Sequence, residues 1–156
     1  MGRLKDLRSH LDYELEMLPD PKTRMGAAAH LYGVSLAAVL LAKRRGLDPE
    51  LAAMAAMLHD LAAYRSGSYE DHAGRGAVLA REILTTLRLT DREETDAICA
   101  AIARHDDKAA LDGPLEELLK DADVLHHTLH DPSKPIKDKE RPRYEALCRE
   151  LGMNPL

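Results

Sequence analysis

His30, the adjacent pair His59-Asp60, and Asp123 are side chains of the kinds that hold a divalent ion, and they fall on separate apolar stretches of a 156-residue chain. Imidazole nitrogens and carboxylate oxygens suit a borderline transition ion (Mn, Fe, Co, Ni or Zn) better than calcium. Each candidate sits among residues that belong in a core. His30 follows Ala27-Ala28-Ala29, His59-Asp60 follows Met57-Leu58, and Asp123 lies between Ala122 and Val124-Leu125. A bare carboxylate buried there costs on the order of several kcal/mol, and a shared cation removes that cost for the whole set. Taken singly, each residue also reads as an ordinary surface or helix-terminal side chain, and a His-Asp dipeptide alone is a weak signal. The ordered set is stronger than its members.

The elements that must position these residues read as helices. Leu4, Leu7, Leu11, Leu15 and Leu18 make one stripe at helical spacing, ended by Pro19-Asp20-Pro21. A second helix is expected from about Thr23 to Arg45, stopping at Gly46. Asp48-Pro49-Glu50 is a start signal for a third, which delivers His59-Asp60 near its end. Tyr64 to Glu70 reads as a surface loop, and Asp71 as the cap of a fourth helix running through Val78, Ile83 and Leu87. Thr90-Asp91 opens a fifth, with His105 at its exit. Asp112-Gly113-Pro114 restarts the chain into a sixth, Leu115 to about Leu129, and a last helix covers roughly Arg141 to Leu151. No stretch alternates as a strand would, so the expectation is an all-α bundle, one domain over residues 1–156.

The order His30, His59-Asp60, then Asp123 in Ala122-Asp123-Val124-Leu125 resembles the HD superfamily of metal-dependent phosphohydrolases, over a motif core of about residues 24–125, with 131–156 as a C-terminal loop and helix. The resemblance implies that His30, His59, Asp60 and Asp123 hold the metal, one or two ions, with Asp121 turned away on its helix. It also implies that His72 and His105, with Asp106 beside the latter, bind a second metal or contact the substrate phosphate, and that Asp60, His72 and His105 carry the catalysis. Many members place a lysine shortly after the doublet; this chain runs His59-Asp60-Leu61-Ala62-Ala63-Tyr64, so Arg65 and Arg75 are the candidates for phosphate contact. His126, His127 and His130 are expected not to be direct ligands, with His127 and His130 paired on the outer surface or a cleft rim.

The implied reaction is hydrolysis of a phosphate ester, mono- or diester, of a small metabolite or nucleotide. The alternative is a non-catalytic HD-type module that binds a nucleotide or metal and regulates a partner. Composition bounds the rest. A net charge of −5 argues against nonspecific nucleic-acid binding. The longest apolar stretch, Val34 to Ala42, contains Ser35 and is too short to span a bilayer, and the N-terminus lacks a signal-peptide pattern. Two isolated cysteines, Cys99 and Cys148, fit a reduced, cytoplasmic setting. The N-terminal leucine stripe is expected to cover the domain's own core, with a homodimer as its other use.

Overall fold

Pro, Gly and Asp punctuate long runs of helix-forming residues, and the backbone follows that punctuation. The computed structural model describes residues 2–155. Among these it contains α1 (Arg3–Glu16), α2 (Pro21–Arg45), α3 (Pro49–Leu58), α4 (Leu61–Ser66), α5 (His72–Thr86), α6 (Arg92–Arg104), α7 (Pro114–His130) and α8 (Arg141–Leu151), and no strand. The all-α expectation holds. Met1 and Leu156, which bound the expected domain, lie outside the described residues.

The caps are local chemistry. Asp20 accepts from the Thr23 amide at 2.8 Å ahead of α2, and Asp48 accepts from the Glu50 and Leu51 amides ahead of α3. Asp91 and Glu94 form a reciprocal capping box at the head of α6. Each satisfies amides that the first helical turn leaves without partners. Gly46 ends α2 at φ 70, in the left-handed region that glycine enters at little cost.

α2 is the central element, packed chiefly on α3 and α7, while α5 and α6 pack on each other and α6 also meets α3 and α7. α2 and α3 pack together and both bury small residues, Ala27, Ala38 and Ala42 on α2 and Ala52, Ala53, Ala55 and Ala56 on α3, which lets backbones approach closely. Leu7, Leu11, Leu15 and Leu18 are buried in the same core, so the α1 stripe covers this chain's own interior. By length and composition α2 as a whole is apolar enough to cross a membrane, unlike the Val34–Ala42 run alone. In this fold 44% of its most apolar stretch is buried in the bundle.

Three expectations need correction. The third helix does not simply run into a loop: it breaks at Asp60, at φ −111 and ψ 4, and restarts as α4. Tyr64, Arg65 and Ser66 are therefore helical, and the loop begins at Gly67. Asp71 precedes α5 but makes no side-chain cap; it adopts φ 45, an uncommon conformation for a residue with a Cβ. Val78 and Ile83 lie on α5 as expected, Val78 with its side chain exposed.

α5 reaches the doublet because residue 76 is glycine. A Cβ there would stand 2.9 Å from the His59 carbonyl oxygen and 3.2 Å from Ile102 Cγ2, and the backbone atom cannot swing aside. Gly76→Ala is expected to lower stability by about 1–3 kcal/mol, read from urea unfolding. An unchanged midpoint would mean that α5 is not held this close.

Candidate metal centre

Three imidazoles are oriented by the same device. His59 Nδ1–H donates to Ala56 O at 2.6 Å, His105 Nδ1–H to Ile102 O at 2.7 Å, and His72 Nδ1–H to Tyr69 O at 3.0 Å. Each acceptor is the carbonyl three residues back, so Nε2 of each ring is left to face the site. His30 sits mid-way along α2, with Nδ1 3.0 Å from Nδ1 of His126. The His126 ring occupies room that Gly33 leaves, and any Cβ at position 33 would overlap it. Burial, followed by the neighbouring His30, brings His126 down to about 4, which suits a neutral acceptor behind His30.

The inward atoms converge. His30 Nε2 lies 3.2 Å from His59 Nε2, 3.1 Å from Asp60 Oδ2 and 3.4 Å from Asp123 Oδ1. His59 Nε2 lies 3.3 Å from Asp60 Oδ2 and 3.5 Å from Asp123 Oδ1. Ligand atoms about 2.0–2.2 Å from one ion stand roughly 3.0–3.5 Å from their neighbours around it, so these spacings fit a shared divalent cation. Asp123 supplies the test of that fit. Its Oδ1 is buried and accepts no hydrogen bond, although three imidazole nitrogens face it. Its other oxygen accepts from Lys108 Nζ at 2.7 Å. An unpaired buried carboxylate oxygen aimed at histidine nitrogens is suited to serve as a ligand atom for a cation.

Charge follows the same logic. Burial pushes the Asp60 and Asp123 carboxyls upward. His59 and the surrounding imidazoles, with Lys108 for Asp123, overcome this and hold both well below the usual carboxylate range. Burial brings His30 down. For His59 burial is opposed by Asp60 and Asp123, which hold it up to about 10, against an ordinary 6.5. A folded value above the ordinary one means that the proton on His59 stabilises the ion-free protein fully below pH 6.5, and that this is lost as pH rises through about 10. An entering ion must displace that proton. Affinity for Mn(II) is therefore expected to rise by about tenfold per pH unit across this window, measured by calorimetric titration; a flat profile would contradict it.

Asp60 serves two sets. Oδ2 faces His30 and His59, while Oδ1 lies 3.1 Å from His105 Nε2 and 3.5 Å from His72 Nε2. His30, His59 and Asp60 are close enough to hold an ion, as are Asp60, His72 and His105, then His59, His105 and Asp123, and also His30, Asp123 and His127, so His127 stands nearer a ligand position than expected. Asp106 is exposed at the rim beside Lys139 and joins no such group among the described residues.

Neither arginine reaches the site. Arg65 pairs with Glu14 on α1, and Arg75 donates to Glu70 O, Ser66 Oγ and Ser68 O, bracing the loop ahead of α5. The cation present is Lys108, buried, donating to Asp123 Oδ2 and to His105 O. It comes from the α6–α7 loop, three residues after His105, and that nearness was its sole sequence signal. Asp121 points away and pairs with Arg45 and Arg143.

The histidines after Asp123 also divide differently from expectation. His126 stacks on His130, whereas His127 stacks on His30 with ring centroids 5.2 Å apart. His127 Nδ1–H donates to the buried Glu140 at 2.7 Å, and its Nε2 stands 3.4 Å from Asp123 Oδ1. All of this opens on a cavity of about 640 Å³, lined by His30, Asp60, His72, His105 and Asp123, by Tyr64 and Tyr69, and by residues 131, 134–137, 139 and 140.

Residues 27–128 match the HD domain family. Among solved structures the chain is similar to a predicted HD superfamily hydrolase from an uncultured Thermotogales bacterium. The two are 20% identical, with a TM-score of 0.65 over 97% of this chain and 90% of that one. At that identity the likeness is one of fold. No curated protein matches the chain.

Proposed function

The chain belongs to the HD-domain family, and on that premise we propose that it hydrolyses a phosphate ester of a small metabolite or nucleotide with metal-activated water. The observation that carries the reading is that His30 Nε2 and His59 Nε2 each stand within 3.5 Å of both Asp60 Oδ2 and Asp123 Oδ1, with Asp123 Oδ1 unpaired, beside an open cavity. A divalent ion held there supplies an acidified water and neutralises charge on phosphoryl oxygens. The chain's residues do the rest.

The carbonyl-bonded Nδ1 atoms of His59, His72 and His105 fix their rings before anything binds, so orientation is settled in advance. Asp60 Oδ1, with His72 and His105, offers the ligands for a second ion; with one ion, the two histidines offer donors to the phosphoryl group and its leaving oxygen. Lys108 keeps Asp123 charged and leaves Oδ1 as its ligand atom. Burial holds the Tyr64 and Tyr69 hydroxyls above their ordinary range, so both remain hydrogen-bond donors on the cavity wall.

The test is the transition-metal content of protein purified without chelators or a metal-affinity tag, followed by phosphate release from ester substrates with and without added Mn(II). One or two ions per chain and ion-dependent turnover support the hydrolase. Ion binding with no turnover on any phosphate ester favours the regulatory module. A chain that takes up no ion overturns the metal centre itself.

A further inference from the structure

We propose that the substrate carries a second phosphoryl group, and that the segment 131–140 between α7 and α8 holds it through Lys134, Lys137 and Lys139. The hydrolase reading explains what such binding serves. The anion site stands on its own observations.

Four of the chain's eight lysines, these three and Lys108, line one cavity of an acidic protein. No arginine lines it. Lys108 is committed, buried between Asp123 and the His105 carbonyl. The other three belong to a segment fixed at both ends. Asp131 accepts from the Ser133 amide and hydroxyl, and the buried Glu140 accepts from His127. Between these anchors the chain has no helix, so its side chains stand along the cavity instead of spiralling around an axis.

Their partners are few and loose. Lys134 stands 3.6 Å from Asp131, and Lys139 stands 3.6 Å from Asp106, beyond hydrogen-bond reach, with side chains largely exposed. Among the described residues the Lys137 side chain makes no ion pair or hydrogen bond. The carboxylates on this side lean on other groups: Asp131 and Asp106 on Lys134 and Lys139, Asp138 on Arg141 at 4.0 Å, and Glu140 on His127. The Lys137 charge therefore has no paired carboxylate among the described residues.

A phosphoryl group at the His–Asp cluster meets Lys108 and the imidazoles, and leaves the segment's lysines unused. The cavity is within the range of roughly 300–1,000 Å³ that accommodates a whole small ligand, so there is room beyond a single phosphate. Ammonium groups bind phosphate oxygens as point charges without demanding one geometry, which suits a flexible phosphoanhydride or a bisphosphate. The substrate class is thus a small molecule with two or more phosphoryl groups, cut at the cluster and held by the lysines at its far end.

The experiment is calorimetric titration of the ion-loaded protein with inorganic phosphate and with pyrophosphate, ion content being measured before and after. The proteins are the wild type, Lys137→Ala, and the triple variant Lys134→Ala/Lys137→Ala/Lys139→Ala. All three positions are exposed, so folding is not at risk. The triple variant is expected to lose at least about tenfold in pyrophosphate affinity and less than about twofold for phosphate, with Lys137→Ala in between. Equal losses for both anions, or no loss for either, overturn the proposal. If the protein takes up no ion, the hydrolase reading fails separately. The same titration on ion-free protein then decides the lysine site: pyrophosphate binding that the triple variant loses supports it, and no binding overturns it.

Discussion

Asp60→Ala leaves a folded protein with less than about a tenth of its bound metal and phosphate-ester hydrolysis lowered by about 10³-fold or more. The size of the effect follows from what one side chain does. Asp60 Oδ2 stands beside His30 and His59 and Oδ1 beside His72 and His105, so one truncation takes a ligand atom from both groups. What remains is a cluster of imidazoles with less negative charge to hold a cation. The helices survive, because Asp60 makes no side-chain cap at the head of α4. Metal analysis, turnover and circular dichroism on the same preparation give the answer. Full metal and full activity in a folded variant would remove Asp60 from the site.

Lys108→Met is expected to destabilise the ion-free protein by about 3–5 kcal/mol, the usual result of removing one partner from a buried ion pair. Its ammonium lies 2.7 Å from Asp123 Oδ2 and is as buried as the carboxylate it serves. Without it Asp123 keeps a charge with one cation fewer nearby, and the carboxyl shifts upward. The deficit should therefore shrink as pH falls and Asp123 takes a proton. It should shrink again when Mn(II) is added, because the ion supplies the missing positive charge. Urea unfolding at two pH values, with and without the ion, resolves these contributions. A variant as stable as the wild type without ions would show that Asp123 does not depend on Lys108.

The elements were legible where local chemistry decides them. Asp20-Pro21, Asp48-Pro49, Asp91 with Glu94, and Gly113-Pro114 mark helix starts within a few residues of chain, and the starts fall there. The break at Asp60 is different in kind. Met57 through Ala63 contains no Gly or Pro, so nothing local interrupts the helix; Asp60 leaves it to direct its two oxygens at histidines from α2, α5 and α6. Within the site, His30, His59, Asp60 and Asp123 were visible as chemical types in apolar surroundings, and the fold brings them together. Lys108 was hidden because proximity across a loop has no period. Arg65 and Arg75 were drawn in by their nearness in sequence to the doublet and its loop, yet their side chains turn to Glu14 and to the backbone of residues 68 and 70. His127 was placed at the rim or outside because its two partners, His30 and Glu140, lie on separate segments whose meeting no local pattern records.

The chain has five tyrosines, no tryptophan and no phenylalanine, and two of those tyrosines, Tyr64 and Tyr69, form part of the cavity wall. A protein of this kind carries its own optical reporter. Its ultraviolet emission comes from tyrosine alone, with no indole to drain the excitation, and two of the five emitters stand on the wall of the cavity that holds the His–Asp cluster. A paramagnetic ion held between His30 and Asp123 would dim the emission of those two, and a ligand covering Tyr69 would change its contact with water. Occupancy of the site can thus be followed in the unmodified chain by its own light.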